Sequence, residues 1–153
     1  MKTQTMALVV VMLWCVLTAG ICQAGPPANG TIKKNGLVWL KNANCFGAMD
    51  WNSAMSAAKN LKSGNCGLND DSKAGDWRLP TKDELASIYV AKSEFSNVQA
   101  SGYWSSTTYV YNTNSPGYTN NTNFAWFVGM GNGYIGYDGK VYNAHVWPVR
   151  GGQ

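Results

Sequence analysis

The sequence predicts an α+β domain. Three observations point there. An Asn-Gly turn signal lies between two short apolar segments near the start, two stretches of helical period occupy the middle, and short aromatic-rich segments fill the last third. Strands, then helices, then strands in separate blocks make the α+β pattern, with mostly antiparallel strands and long loops. The two ends of the chain can then pair in one sheet. With 153 residues there is material for one domain.

Each element has a local reason. Thr31–Lys33 and Leu37–Lys41 read as strands, and Asn35-Gly36 between them suits a tight hairpin because both central residues need positive φ. From Asp50 the period changes. Trp51, Ala54, Met55, Ala58 and Leu61 form one stripe of a helix, capped by Asp50 and closed by Ser63-Gly64. A second helix starts at Thr81, which with Glu84 spells a capping box, and buries Leu85, Ile88 and Tyr89. From there the pattern turns to strands at Tyr103–Tyr109, Phe124–Met130, Tyr134–Tyr137 and His145–Arg150. Gly131-Asn132-Gly133 and Asp138-Gly139 read as turns between them. Asn112–Asn123 is a polar loop, long enough to suggest function.

Composition narrows the classes. Only 13% of residues are charged, about half the usual share, while Trp, Tyr and Phe reach 12%. That excludes disorder and coiled coil. The formal charge is +4, with Lys33, Lys34 and Lys41 close together. No basic run is long enough for nucleic acid, so no nucleic-acid partner is expected.

Residues 1–24 read as a secretory signal. Lys2 supplies the positive start, Met6–Leu17 the apolar run, and Cys22-Gln23-Ala24 the small residues before cleavage. A lipoprotein would use Cys22, but Ile21 stands where a small residue is wanted. Residues 25–30 form a linker or extended lead-in, and 31–150 the domain. The product is expected to be secreted, periplasmic or at the cell surface, without stable membrane insertion. Cleavage removes Cys15 and Cys22. Cys45 and Cys66 then remain in an oxidising compartment, where a disulfide is the natural outcome. With a single His far away, zinc is poorly served.

Five segments in order carry a family resemblance: Gly36-Leu37-Val38-Trp39, Asp76-Trp77-Arg78-Leu79-Pro80-Thr81 with Glu84-Leu85, Tyr103-Trp104-Ser105-Ser106-Thr107, Ala125-Trp126-Phe127-Val128, and Val149-Arg150. The chain resembles the DUF1566 family, also described as the C-terminal domain of Legionella collagen-like adhesin proteins, over about residues 31–150. The resemblance implies a C-type-lectin-like fold, a secreted or surface-exposed bacterial protein, and a role in binding or adhesion. It supplies no catalytic set. Where a frequent family ending has a Cys before the last Val-Arg, this chain has Trp147-Pro148.

Site expectations follow residue by residue. Trp77, Leu79, Pro80, Trp104 and Trp126 are expected in the core. Arg78 and Arg150 are the only arginines and are expected to pair with Glu84, Asp76 or Asp83, as a buried bidentate pair joining helix and terminal strand. Tyr109, Tyr111, Asn112, Tyr118, Asn120, Tyr134 and Tyr137 form the candidate ligand-binding set. Tyr gives rigid amphipathic contact area, and Asn gives hydrogen bonds without charge. The ligand would be a glycan or a surface protein, and a homo-oligomer remains open. No metal or cofactor is expected. The one calcium alternative is Asn69-Asp70-Asp71-Ser72 with Asp76, but the Glu-Pro-Asn, Gln-Pro-Asp and Trp-Asn-Asp tripeptides of calcium-dependent lectins are absent. His145 is the only His and no nucleophile motif lies beside it, so no enzyme is expected. An assembly subunit is the alternative function.

Overall fold

The computed structural model describes residues 29–111 and 121–152. The signal segment, Asn112, Tyr118 and Asn120 lie outside them. Asn29 and Gly30, the last of the lead-in, are docked into the domain. Asn29 accepts from the Thr31 and Asn69 amides, and the Gly30 carbonyl accepts from the Lys41 amide. Gly30 has φ +76, and a Cβ there would sit 2.4 Å from the Gly67 carbonyl oxygen, so only glycine fits.

Strands β1 (Thr31–Lys34) and β2 (Leu37–Leu40) form the hairpin, with Asn35 at φ 52 and Gly36 at φ 74. Strand β8 (Val149–Gly151) pairs antiparallel with β2, with Trp39 opposite Val149, so the two ends of the domain close one three-stranded sheet. The second sheet has five strands: β3 (Ala48–Met49), β4 (Gly102–Tyr111), β5 (Asn121–Gly129), β6 (Ile135–Gly139) and β7 (Ala144–His145). Their order is β3-β7-β4-β5-β6. Only β4 and β7 pair in parallel. The segment expected as one strand, His145–Arg150, is thus two. Pro148 lies between them and cannot donate to a ladder. Its carbonyl instead accepts from the Leu40 amide as the chain crosses between sheets.

Helix α1 (Trp51–Asn60) starts at Asp50, whose carboxylate accepts from the Asn52 and Ser53 amides. It ends three residues before the expected Ser63-Gly64 stop. Leu61 leaves in an extended conformation and enters the core instead. Helix α2 (Lys82–Ile88) has the full Thr81/Glu84 capping box and runs on as a 3₁₀ turn, Tyr89–Glu94. The turn expected at Asp138-Gly139 falls later. These two residues close β6, and the Tyr142 amide donates to the Gly139 carbonyl across the turn.

Two packed clusters hold the layers. The larger, under the three-stranded sheet and α2, contains Trp39, Trp77, Leu85, Tyr103, Val128 and Trp147. The smaller, under α1, contains Ala54, Ala58, Leu79, Trp104, Ala125 and Val146. Alanines on α1 let the helix approach the sheet closely. The buried indoles of Trp104 and Trp147 donate to the Met49 and Leu40 carbonyls. Cys45 and Cys66 are bonded, with Cα atoms 5.7 Å apart, and tie together the segments flanking α1. Closing a loop of that length stabilises by about 3 kcal/mol.

Candidate functional site

Alternation along β5 places Phe124, Trp126 and Val128 on one face of the five-stranded sheet. Val128 is sealed beneath the larger cluster. Helix α2 is seven residues long, about 10 Å. Its first residue, Lys82, sits with its ammonium 5.0 Å from the Trp126 ring centre. Toward Phe124 the same face runs on past the helix start.

That stretch carries an aromatic group. Tyr109 lies opposite Phe124, and Tyr137 lies opposite Trp126. The Tyr109 and Tyr137 rings stack, with centroids 3.8 Å apart and planes parallel. Trp126 meets both edge-on, at 5.2 and 5.8 Å, and Phe124 meets Tyr137 at 6.0 Å. Tyr137 remains 45% exposed, and Tyr109 and Trp126 are half-buried. Trp126, expected in the core, therefore belongs to this outer surface, because α2 begins too late to cover it.

A bulge in β4 sets the register here. Between Trp104 opposite Phe127 and Thr108 opposite Ala125, β4 carries extra residues. The serines of Tyr103-Trp104-Ser105-Ser106 satisfy that irregular backbone. Ser105 Oγ donates to the Trp126 carbonyl at 2.8 Å, and the Ser106 amide donates to the Pro80 carbonyl at 2.7 Å. Bulges re-aim side chains beside functional surfaces. The sequence shows the two serines but not this use of them.

The remaining expected ligand residues separate. Tyr111 ends β4 opposite Asn121. Tyr134 lies on the other face, its ring 6.1 Å from Phe127 and over Gly136, where a Cβ would approach it to 2.6 Å. The structure thus gathers Tyr109 and Tyr137, adds Phe124, Trp126 and Lys82, and sets Tyr134 apart.

Charged groups mostly serve the frame. Arg78 meets Glu84 through two hydrogen bonds, at 2.7 and 2.8 Å. These bonds hold the Glu84 carboxyl below the usual carboxylate range and raise the Arg78 guanidinium. The pair is bidentate but not buried, the Arg78 side chain being 43% exposed. The Arg78 backbone exchanges two 2.9 Å bonds with Val149, so this residue itself links α2 to the terminal strand. Arg150 has a different partner from those expected. It bonds Asp70 at 3.2 Å, with its guanidinium over the Trp77 ring. The loop carrying Asp70 folds back against β8, whereas Asp76 turns to the Lys73 amide and Asp83 to Lys82. Trp77, Leu79, Pro80 and Trp104 are buried.

The Asn69–Asp76 loop is internally committed. Asp70 also accepts from the Ser72 amide and hydroxyl. Among the described residues no three His, Cys, Asp or Glu side chains group to hold a metal ion. His145 shares a 2.9 Å hydrogen bond between Nδ1 and Asn44 Oδ1 and packs on Tyr103, and burial lowers its pKa.

A cleft of about 880 Å³ opens between the start of α1 and the β6–β7 turn. Asp50, Asn52, Phe124, Lys140, Tyr142 and Asn143 line it, so it adjoins the aromatic face at Phe124. Lys140 is held in its wall, its ammonium 4.0 Å from the Trp51 ring centre and donating to Thr108 Oγ1. Burial lowers its pKa. Tyr142 and Asn143 belong to the Tyr- and Asn-rich last third of the sequence but lie outside the candidate ligand set, because nothing local marks a residue pair after a turn as lining a cleft.

The family model described as the Lcl C-terminal domain matches residues 31–150, spanning both sheets, both helices and the aromatic face. The chain belongs to this family. In this Lcl C-terminal domain the matched range begins at β1 and ends within β8, the two strands flanking β2. Comparison with curated proteins finds no significant match. No helix of the described residues is long and apolar enough to cross a membrane.

Proposed function

We propose that this Lcl C-terminal domain is an exported, non-enzymatic recognition module with a role at the bacterial surface. It binds a glycan or a surface protein through the outer aromatic face of β4–β6. The observation that carries this reading is the stacked Tyr109–Tyr137 pair beside Trp126, half-open and flanked by the Lys82 ammonium. Aromatic faces suit sugar rings and apolar protein surface, and Tyr and Trp dominate binding energetics at interfaces.

Other features support parts of it. The pairing of the chain ends in one sheet, with two helices and long connections, is consistent with a C-type-lectin-like arrangement. The Cys45–Cys66 bond suits an oxidising compartment and so agrees with a signal over residues 1–24. The engagement of His145 with Asn44, and of Asp70 with Arg150, favours a module without a catalytic group or resident calcium.

Binding of the purified protein to immobilised glycans and to cells tests the reading. Replacing Tyr109 and Tyr137 by Ala is expected to weaken it about tenfold or more. Full binding by a folded double variant would refute it.

One observation favours the assembly alternative. Strand β6 is an edge of the five-stranded sheet and exposes Ile135 and Tyr137. Open apolar edges pair with other chains unless protected. Light scattering at high concentration separates the two readings, since a strictly monomeric protein removes the alternative.

A further inference from the structure

We propose that the cleft between the start of α1 and the β6–β7 turn is a second binding site, which takes an uncharged pyranose segment of a glycan. The inference rests on the recognition reading, and of the aromatic face only Phe124 also lines the cleft.

The size suits a small ligand. A volume of about 880 Å³ falls in the range of ligand clefts, toward its upper end. The wall supplies a platform. Tyr142 is 61% exposed, and its ring lies on Gly139, where a Cβ would come within 3.2 Å of it. A side chain at 139 would lift the ring. With glycine there, the ring rests on backbone on one side and is available to stack on the C–H face of a sugar on the other.

The polar groups sort by charge. Both ionised groups are already engaged. Asp50 accepts from two helix amides and from the Ser53 hydroxyl, which hold its pKa down, and Lys140 is committed to Trp51 and Thr108. One anion and one cation leave no net charge, and no cation stands open for a sulfate or carboxylate. The groups left without a side-chain hydrogen bond among the described residues are neutral: the Asn52 and Asn143 amides and the Tyr142 hydroxyl. A primary amide offers a donor and an acceptor side by side, which matches a pair of adjacent sugar hydroxyls. Asp50 is the single carboxylate among the lining residues, too few oxygens of charge for calcium to mediate the contact. Recognition here is therefore calcium-independent.

The test titrates the purified protein with neutral oligosaccharides ending in mannose, galactose or N-acetylglucosamine, and with a sulfated oligosaccharide, in chelator. The side-chain amide NMR signals of Asn52 and Asn143 report the cleft directly. At least one neutral saccharide is expected to shift them, and the sulfated one to bind there more weakly. Tyr142→Ala and Asn143→Ala weaken that binding about tenfold, Tyr142→Phe less, and Tyr137→Ala leaves it intact. All three positions are exposed, so melting temperature serves as the fold control. Neutral-glycan binding that depends on Tyr137 but not on Tyr142 would overturn the cleft and leave the recognition reading standing. So would cell binding without any shift at Asn52 or Asn143. A folded protein that binds neither glycans nor cells would overturn both.

Discussion

The aromatic residues of this domain fall into two groups of similar chemistry and different fate. Trp39, Trp77, Trp104 and Trp147 are sealed within the two clusters. Tyr109, Trp126 and Tyr137 form an equally dense ring cluster and stay half-open. The difference lies in what covers them. The sheets, both helices and the closing strand β8 enclose the first group, and a buried Trp or Tyr can supply several kcal/mol. The second group occupies a stretch of the same sheet face that α2, starting at Lys82, does not reach. Residue type is shared, so coverage decides whether an aromatic is sealed into the fold or keeps part of its ring at the surface.

This contrast predicts a graded series. The largest loss is expected for a sealed ring. Trp147→Ala removes edge contacts to Trp39 and Phe95 and the bond to Leu40, and should cost about 3–5 kcal/mol in urea unfolding. Tyr137→Ala should cost about 1 kcal/mol or less. Equal losses would break the distinction. Next comes the disulfide. Replacing Cys45 and Cys66 by Ser should lower stability by about 3 kcal/mol without changing binding at the aromatic face, because the bond joins the segments flanking α1 and packs against the larger cluster.

Smaller effects follow from acid. Burial disfavours the charged form of His145, so its folded pKa lies below the 6.5 of the unfolded chain. The unfolded state takes the proton first, and stability falls as pH drops below about 6.5. Arg78 holds Glu84 ionised, so its contribution is full above about 4.5 and is lost as pH falls through the lowered value. Unfolding measured from pH 7 to pH 3 should show both decreases, the first absent in His145→Gln and the second in Glu84→Gln. A flat profile would contradict these assignments.

Much of the frame is legible in the sequence because its signals are local. Asn35-Gly36 needs positive φ, Thr81 and Glu84 satisfy each other's backbone, and Trp51, Ala54 and Ala58 share a stripe. The closing of the chain ends follows from the order of elements. What local pattern cannot supply is distance across the fold. Arg150 meets Asp70, eighty positions away, and no spacing rule links them. Trp126 reads as core because alternation places it on the covered face, yet where α2 begins along that face is a tertiary matter. Tyr134 and Tyr137 look equivalent in sequence, but their parity puts them on opposite faces. Asn143 and Tyr142 become neighbours of Asp50 only when the β6–β7 turn meets α1.

The measurement that tests the account most directly pairs binding with stability in Tyr109→Ala/Tyr137→Ala. The double variant is compared with the parent protein for retention on immobilised glycans and cells, and for melting temperature on the same samples. An open ring cluster that serves recognition predicts binding reduced about tenfold or more with melting shifted by only a few degrees. Unchanged binding, or a collapse of melting temperature like that of Trp147→Ala, would show that these rings belong to the frame after all.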